Sequence, residues 1–455
     1  MQRPFTMMAV AFCRLLSYNG VKIEVVTMKA YEKMEPAALE AELAALRGTY
    51  TQLKNRDLHL NMARGKPSAA QLDTISDILT VLSTPEQCQC EGVDARNYGE
   101  LAGLPAARRY WAQVLGCQPE QTFVGGASSL TLMYDLISKA YTHGLPRSPR
   151  PWCREEKIRF LCPAPGYDRH FKITQSFGAE LICVDMTQTG PNMEQVEQLV
   201  QDPQVKGIWC VPKFSNPQGI TYSDETVARL ASLRPAAPDF VLMWDNAYCL
   251  HEFSGPFTPF PDIISACESA GNGGMAWEFA STSKITFPGG GISVMASSAE
   301  NIRYMTGLMG VQMISYDKVN QLRHVAYLRD LPHTLAIMQR HAALLRPKFE
   351  AVEQILQREL TGLGIASWTA PTGGYFISLD AMPGTARRTL DLCAGVGVVM
   401  TPAGATFPYG IDPQDSNIRI APSYPPLEEL RQAMEAFCLC LRIAACEKLL
   451  QGQAD

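Results

Sequence analysis

The chain has 455 residues, of which 46 % are hydrophobic and 19 % charged, and its net charge is −5. That length holds about two or three compact units around a large core, and the composition excludes disordered and fibrous classes. No run of basic residues exceeds a pair, so neither nucleic acid nor an anionic membrane finds a basic face to bind.

The first 27 residues read as an extension of unknown role. Their apolar run Met7–Cys13 is short, is followed at once by Arg14 and leads to no small-residue cleavage site, which argues against an export signal. Met28 stands as an alternative start. No stretch approaches the roughly eighteen apolar residues of a membrane span. The fourteen cysteines show no metal-ligand spacing, since Cys88-Gln89-Cys90 and Cys438-Leu439-Cys440 are too close and lack a histidine pair. Free thiols in a chain of this size point to a reducing cytosol, and no metal is expected.

Leucines at helical spacing (Leu39, Leu43, Leu46) predict a helix over 35–58. Leu60–Pro67 reads as a short extended run that ends in a Gly/Pro turn, and 76–82 as a second helix. A loop from Asn97 to Pro105 leads into a helix over 106–115. From there strand, turn and helix repeat, with strands expected at 122–124, 158–162, 180–185, 207–211, 240–244, 277–280 and 292–296. Several are continuous apolar runs, as strands covered on both faces are, which predicts an α/β domain with a mostly parallel sheet. Beyond about Tyr316 the texture changes. A long helical region over 331–360, expected to break at Pro347, precedes short strands at 375–379, 396–400 and 418–421 and a final helix over 427–449. This second part reads as a smaller α+β domain.

Polar clusters follow several strand ends, where ligands of such sheets collect. Ser128 and Ser129 lie beside Gly125 and Gly126 where a helix begins; they either cap it or cradle a phosphate with its N–H groups and dipole. Tyr167 ends a strand, where it either packs in the core or stacks on a flat ring. Asn216 in Asn216-Pro217-Gln218-Gly219 is either plain turn punctuation or a donor to a phenolic oxygen. Asp245 closes a buried strand. It reads as a helix N-cap or as the partner of a protonated ring nitrogen, with the Tyr248 hydroxyl within reach of the same cofactor. Lys284 follows Ser281, Thr282 and Ser283 and precedes a glycine hinge. A loop lysine is ordinarily a solvated charge, yet a neutral amine there could attack a carbonyl. Ser281 offers a second phosphate donor. Arg419 in the apolar strand Ile418–Ala421 either pairs internally or grips a substrate carboxylate bidentately.

Taken in order, Gly65, Tyr98, Ser128-Ser129, Tyr167, Asn216, Asp245 with Tyr248, Ser281 with Lys284, and Arg419 resemble the fold-type-I, pyridoxal-phosphate-dependent aminotransferases. The resemblance covers nearly everything after about Met28. Asn61–Pro67, Pro165–Phe171 and Ser281–Thr286 resemble the type Ic branch of the aspartate aminotransferases. It implies a three-layer α/β domain with a mostly parallel mixed sheet over 76–325, and a smaller α+β domain built from 28–75 and 326–455. It also implies roles for the residues. Lys284 would hold pyridoxal 5′-phosphate covalently and shuttle protons. Asp245 would bind the ring nitrogen, Asn216 and Tyr248 the phenolic oxygen, Tyr167 a ring face, and Ser128, Ser129 and Ser281 the phosphate. Tyr98 would reach the phosphate of a neighbouring subunit, which implies a homodimer. Arg419 would clamp the substrate α-carboxylate with help from the backbone at Gly65.

The implied activity is transfer of an amino group from an L-amino acid, best L-aspartate, to a 2-oxo acid, best 2-oxoglutarate, by a ping-pong mechanism in the cytoplasm. A lyase or decarboxylase on the same scaffold is the enzyme alternative. A ligand-sensing regulator would need a DNA-binding domain ahead of the fold, and the segment before Glu35 is too short and too weakly basic. Many relatives carry P-G-x-R-x-G after the lysine, with an arginine that grips the phosphate; Pro288-Gly289-Gly290-Gly291 has none. For the distal substrate carboxylate, Arg64, Lys66, Arg169 and Lys213 compete. Lys213 also competes with Lys284 as the Schiff-base lysine, but it precedes the Asn-Pro turn, whereas Lys284 follows the aspartate as the order of such sites requires.

Overall fold

Apolar runs bounded by glycine, proline and short polar turns make the strands of this molecule, and most strand residues are buried on both faces. The structure is a computed structural model that describes residues 30–452; the expectations for 1–27 and Met28 lie outside the described residues. Eight strands form the main sheet: β1 (Thr122–Gly125), β2 (Arg159–Ala164), β3 (Glu180–Thr187), β4 (Gly190–Pro191), β5 (Val205–Cys210), β6 (Val241–Asp245), β7 (Ala276–Ser281) and β8 (Ser293–Ala296). Their spatial order is β1-β8-β7-β6-β5-β2-β3-β4. From β7 across to β3 neighbours run parallel. β8 is antiparallel to both β7 and β1, and β4 is an antiparallel edge.

The alternation of side chains along β6 shows the three layers. Leu242 and Trp244 pack on one face with Leu230 and Ile264, while Val241 and Met243 pack on the other with Leu136 and Met305. Those four partners come from four helices, Asp224–Ala231, Ile263–Ser269, Ser129–Thr142 and Ala299–Gln312. Each fully buried Leu or Met contributes about 1.5–3 kcal/mol, so the sheet is held from both sides. The expected three-layer α/β architecture is what the chain adopts.

A separate hydrophobic cluster joins Leu39, Leu43 and Leu46 of the helix Pro36–Lys54 to Phe349, Val352 and Ile355 and to Phe437 and Leu441 of the C-terminal helix Leu427–Gln451. It rests on a three-stranded antiparallel sheet, Ala366–Trp368, Ile377–Ala381 and Asn417–Ile420. The helix Leu331–Leu360 passes through Pro347 without the expected break. Pro347 deprives the Ala343 carbonyl of its partner, but Leu345, Phe349 and Val352 are buried on either side and hold the helix together. The same helix serves both cores, with Ile337 and Met338 in the cluster beneath the main sheet and Ala342 onward in the second. The helix expected over 76–82 is a 3-10 segment, Ser76–Thr80.

Candidate active site

Five strands of the main sheet deliver the polar residues to one crevice at their C-terminal ends. Gly125 closes β1 and leads to Ser128 and the helix Ser129–Thr142; Ala164 closes β2 and leads to Tyr167. Cys210 precedes Asn216, Asp245 is the last residue of β6, and Ser281 the last of β7 before the 3-10 turn Thr282–Lys284.

Asp245 does not cap a helix. One carboxylate oxygen, Oδ2, lies 2.8 Å from His170 Nε2, and the other, Oδ1, is buried with no partner among the described residues. An unpaired buried carboxylate oxygen is costly, so Oδ1 calls for a cationic donor. His170 is fixed in turn by stacking on Trp209, with centroids 4.4 Å apart and planes 8° from parallel. The sequence had offered no role for His170, although it lies one helical turn beyond Tyr167 on Asp168–Ser176.

The Lys284 amine sits 4.9 Å over the Tyr248 ring. Burial lowers its pKa, and the charge of Asp245 only partly opposes that, which eases loss of its proton. Tyr248 is buried, which pushes its hydroxyl pKa well up. Beside Lys284, buried His251 has neither ring nitrogen partnered. Burial first, and the Lys284 charge second, push its pKa down to about 3, and it stays neutral. Burial, with Asp245 next, raises the Tyr167 hydroxyl to about 12.

Arg419 projects from the strand Asn417–Ile420 of the three-stranded sheet into the same crevice. Nη1 donates to Asn216 Oδ1 at 3.2 Å, Nε and Nη2 to Thr401 Oγ1 at 3.4 and 3.3 Å, and the guanidinium lies 4.9 Å over Phe376. These contacts are all to neutral groups; the internal ion pair considered from sequence is not among them. Gly65 approaches the same ring so closely that a Cβ there would fall 2.3 Å from Phe376 Cζ.

Ser128 heads its helix without a capping bond from its side chain, which leaves the hydroxyl and the first N–H groups for an anion. Ser281 Oγ donates to Ser283 Oγ at 3.0 Å, and Ser283 Oγ to the Ala127 carbonyl at 3.0 Å, tying the lysine turn to the serine loop. Tyr98 is 79 % exposed and takes no part in this crevice; Lys318 pins its loop through the carbonyls of Asn97 and Gly99. Lys213 is consumed by Glu252, at 2.5 Å, and by the carbonyls of Cys249 and Thr258. Lys66 lies 3.9 Å over the Tyr424 ring, and Arg64 and Arg169 are exposed. An orphaned carboxylate oxygen, a buried amine of lowered pKa and an uncapped serine at a helix start together fit pyridoxal phosphate.

A family model described as aspartate amino-transferase matches residues 34–453. An aspartate aminotransferase of Corynebacterium glutamicum is 46 % identical over 398 residues, covering 88 % of this chain and 92 % of its own. The crystal structure of an aspartate transaminase from Corynebacterium glutamicum superposes with a TM-score of 0.91 at 44 % identity, over 92 % of this chain and 99 % of that one. An α-aminoadipate aminotransferase from Thermus thermophilus, complexed with N-(5′-phosphopyridoxyl)-L-leucine, shares the fold at 18 % identity, with a TM-score of 0.68 over 88 % of this chain and 95 % of that one.

Proposed function

Because the chain belongs to the aspartate amino-transferase family and is a pyridoxal-phosphate-dependent aminotransferase, we propose that it carries the amino group of L-aspartate to 2-oxoglutarate in two half-reactions. When bound, pyridoxal 5′-phosphate supplies a carbonyl carbon that takes up the nitrogen and a protonated ring that accepts electrons from the substrate.

The observation that carries this reading is the buried, lowered-pKa amine of Lys284 sharing a crevice with the unpartnered Asp245 Oδ1. Lys284 Nζ binds the cofactor and removes the proton from the substrate Cα; as a neutral amine it is a competent base. Asp245, steadied by His170, keeps the ring nitrogen protonated. Asn216 turns its Oδ1 to Arg419 and thereby offers its amide N–H groups, with the Tyr248 hydroxyl, to the phenolic oxygen. Tyr167 covers a ring face. Ser128, Ser129 and Ser281 hold phosphate oxygens. Arg419 clamps the substrate α-carboxylate as a bidentate fork with Gly65 alongside.

A homodimer fits the surface around Tyr98. Val311 is 91 % and Ile314 61 % exposed, on the chain just before the helix whose Lys318 holds the Tyr98 loop, and a second copy would cover them. The small domain is proposed as 28–75 with 326–455, and the large as 76–325. A cytosolic location accords with the free thiols; no helix among the described residues is long and apolar enough to cross a membrane.

A spectrum tests the reading. L-Aspartate added alone to the purified holoenzyme should shift the cofactor absorbance with release of one oxaloacetate per site, and 2-oxoglutarate should reverse the shift and release glutamate. Turnover that yields no glutamate from 2-oxoglutarate points instead to a lyase or decarboxylase.

A further inference from the structure

The loop after the catalytic lysine is bare of side chains from Gly289 to Gly291, yet a phosphate dianion held by hydroxyls and backbone alone lacks a counter-charge. The helix Lys318–Leu328 lies against this loop. Asn320 Nδ2 donates to the Gly291 carbonyl at 2.8 Å, and Arg323 Nη2 donates to Asn320 Oδ1. The Nη2 atom stands 3.7 Å from the position a Cβ on Gly290 would take, so a long side chain at 290 would occupy the space that the guanidinium uses. A Cβ on Gly291 would meet Thr282 Oγ1 at 2.8 Å and Ser283 N at 3.5 Å. The glycine run therefore lies directly on the turn that carries Ser281, Ser283 and Lys284. Ser283 reaches on to Ala127 in the serine loop at the helix start.

The partnering of Arg323 is incomplete. Its Nε is buried with no acceptor among the described residues, and its Nη2 is bonded to a neutral amide. A buried guanidinium hydrogen without an acceptor is costly, whereas a phosphate oxygen would satisfy it with a charge-assisted bond. The two other basic side chains of the helix are committed. Lys318 holds the Asn97 and Gly99 carbonyls. His324 faces Thr286 Oγ1 at 2.9 Å, and burial pushes its pKa down to about 4.

We propose that Arg323, held by Asn320 against the glycine run, is the cation that binds the cofactor phosphate in this chain, replacing from a later helix the arginine absent from Pro288–Gly291. The proposal rests on the reading of the site as a pyridoxal-phosphate site, and its test separates the two.

The experiment compares apoenzymes of the wild type, Arg323→Gln and Arg323→Lys, each titrated with pyridoxal 5′-phosphate and with pyridoxal, which lacks the phosphate. Cofactor absorbance and the melting temperature are followed. Arg323→Gln should weaken pyridoxal-phosphate binding by about 10- to 100-fold, the loss of one or two charge-assisted bonds, while pyridoxal binds as to the wild type. Arg323→Lys should fall between, because it keeps the charge and loses the fork. Equal affinity of wild type and Arg323→Gln for pyridoxal phosphate overturns the proposal. So does an equal loss for both ligands, which would mark a deformed site. If Arg323→Gln does not fold, the Arg323→Lys comparison decides between the same outcomes. A wild type that fails to prefer pyridoxal phosphate over pyridoxal overturns the cofactor reading itself.

Discussion

His170 Nε2 lies 2.8 Å from Asp245 Oδ2, while the second oxygen of that carboxylate is buried and unpartnered. One half of the carboxylate is anchored so that the other can meet a cation. Replacing His170 by Phe keeps an aromatic ring near Trp209 and removes the anchor. We expect cofactor affinity and kcat each to fall about 10- to 100-fold, as when the supporting partner of a ligating group is lost. Asp245→Asn, which also removes the charge, should fall further. Apoenzyme titration and steady-state kinetics measure both, and a His170→Phe variant equal to wild type would reduce His170 to packing.

Lys284→Ala should abolish turnover and the absorbance of the covalently held cofactor. Borohydride reduction of the wild-type holoenzyme, followed by peptide mass mapping, should place the reduced cofactor on the Lys284 peptide. Lys213 is the control, since Glu252 and two backbone carbonyls already occupy its amine. Label found on Lys213 would overturn the assignment.

Arg419 touches Asn216, Thr401 and Phe376, all neutral, and burial lowers its pKa. A guanidinium so placed gains most from a carboxylate that arrives with substrate. Arg419→Lys retains a charge without the fork, so the KM for L-aspartate should rise about 10- to 100-fold. Affinity for the cofactor alone should change little. A variant that loses cofactor and leaves KM unchanged would assign Arg419 to the ring instead.

The main sheet could be read from the sequence because its strands are continuous apolar runs, and several candidate residues stand at or just beyond the end of one. Asp245 and Lys284 could be singled out as candidates for that reason. His170 could not, because a histidine inside an ordinary helix carries no sign of the aspartate it meets 75 positions later. Arg323 was equally hidden, since its relation to Gly290 arises from helix packing and has no local spacing. Pro347 misled in the other direction, because the burial of Leu345 and Phe349 outweighs a missing hydrogen bond.

Glu278 on β7 precedes the residue that pairs with Asp245. Its Oε1 accepts from Asn246 Nδ2 at 2.8 Å, and Oε2 is buried without a partner. Burial pushes its pKa up to about 8, against the pull of the Asn246 bond, from an ordinary value of 4.5. The folded protein therefore holds a proton that the unfolded chain gives up, so the stabilisation is whole below pH 4.5 and lost as pH climbs to about 8. Glu278→Gln keeps the shape and the acceptor for Asn246 while removing the ionisation. The wild-type melting temperature should decline between about pH 5 and pH 8.5, and the variant should decline less, melting about 1–3 °C higher at the alkaline end. Parallel declines in calorimetry would show that this carboxyl does not govern alkaline stability.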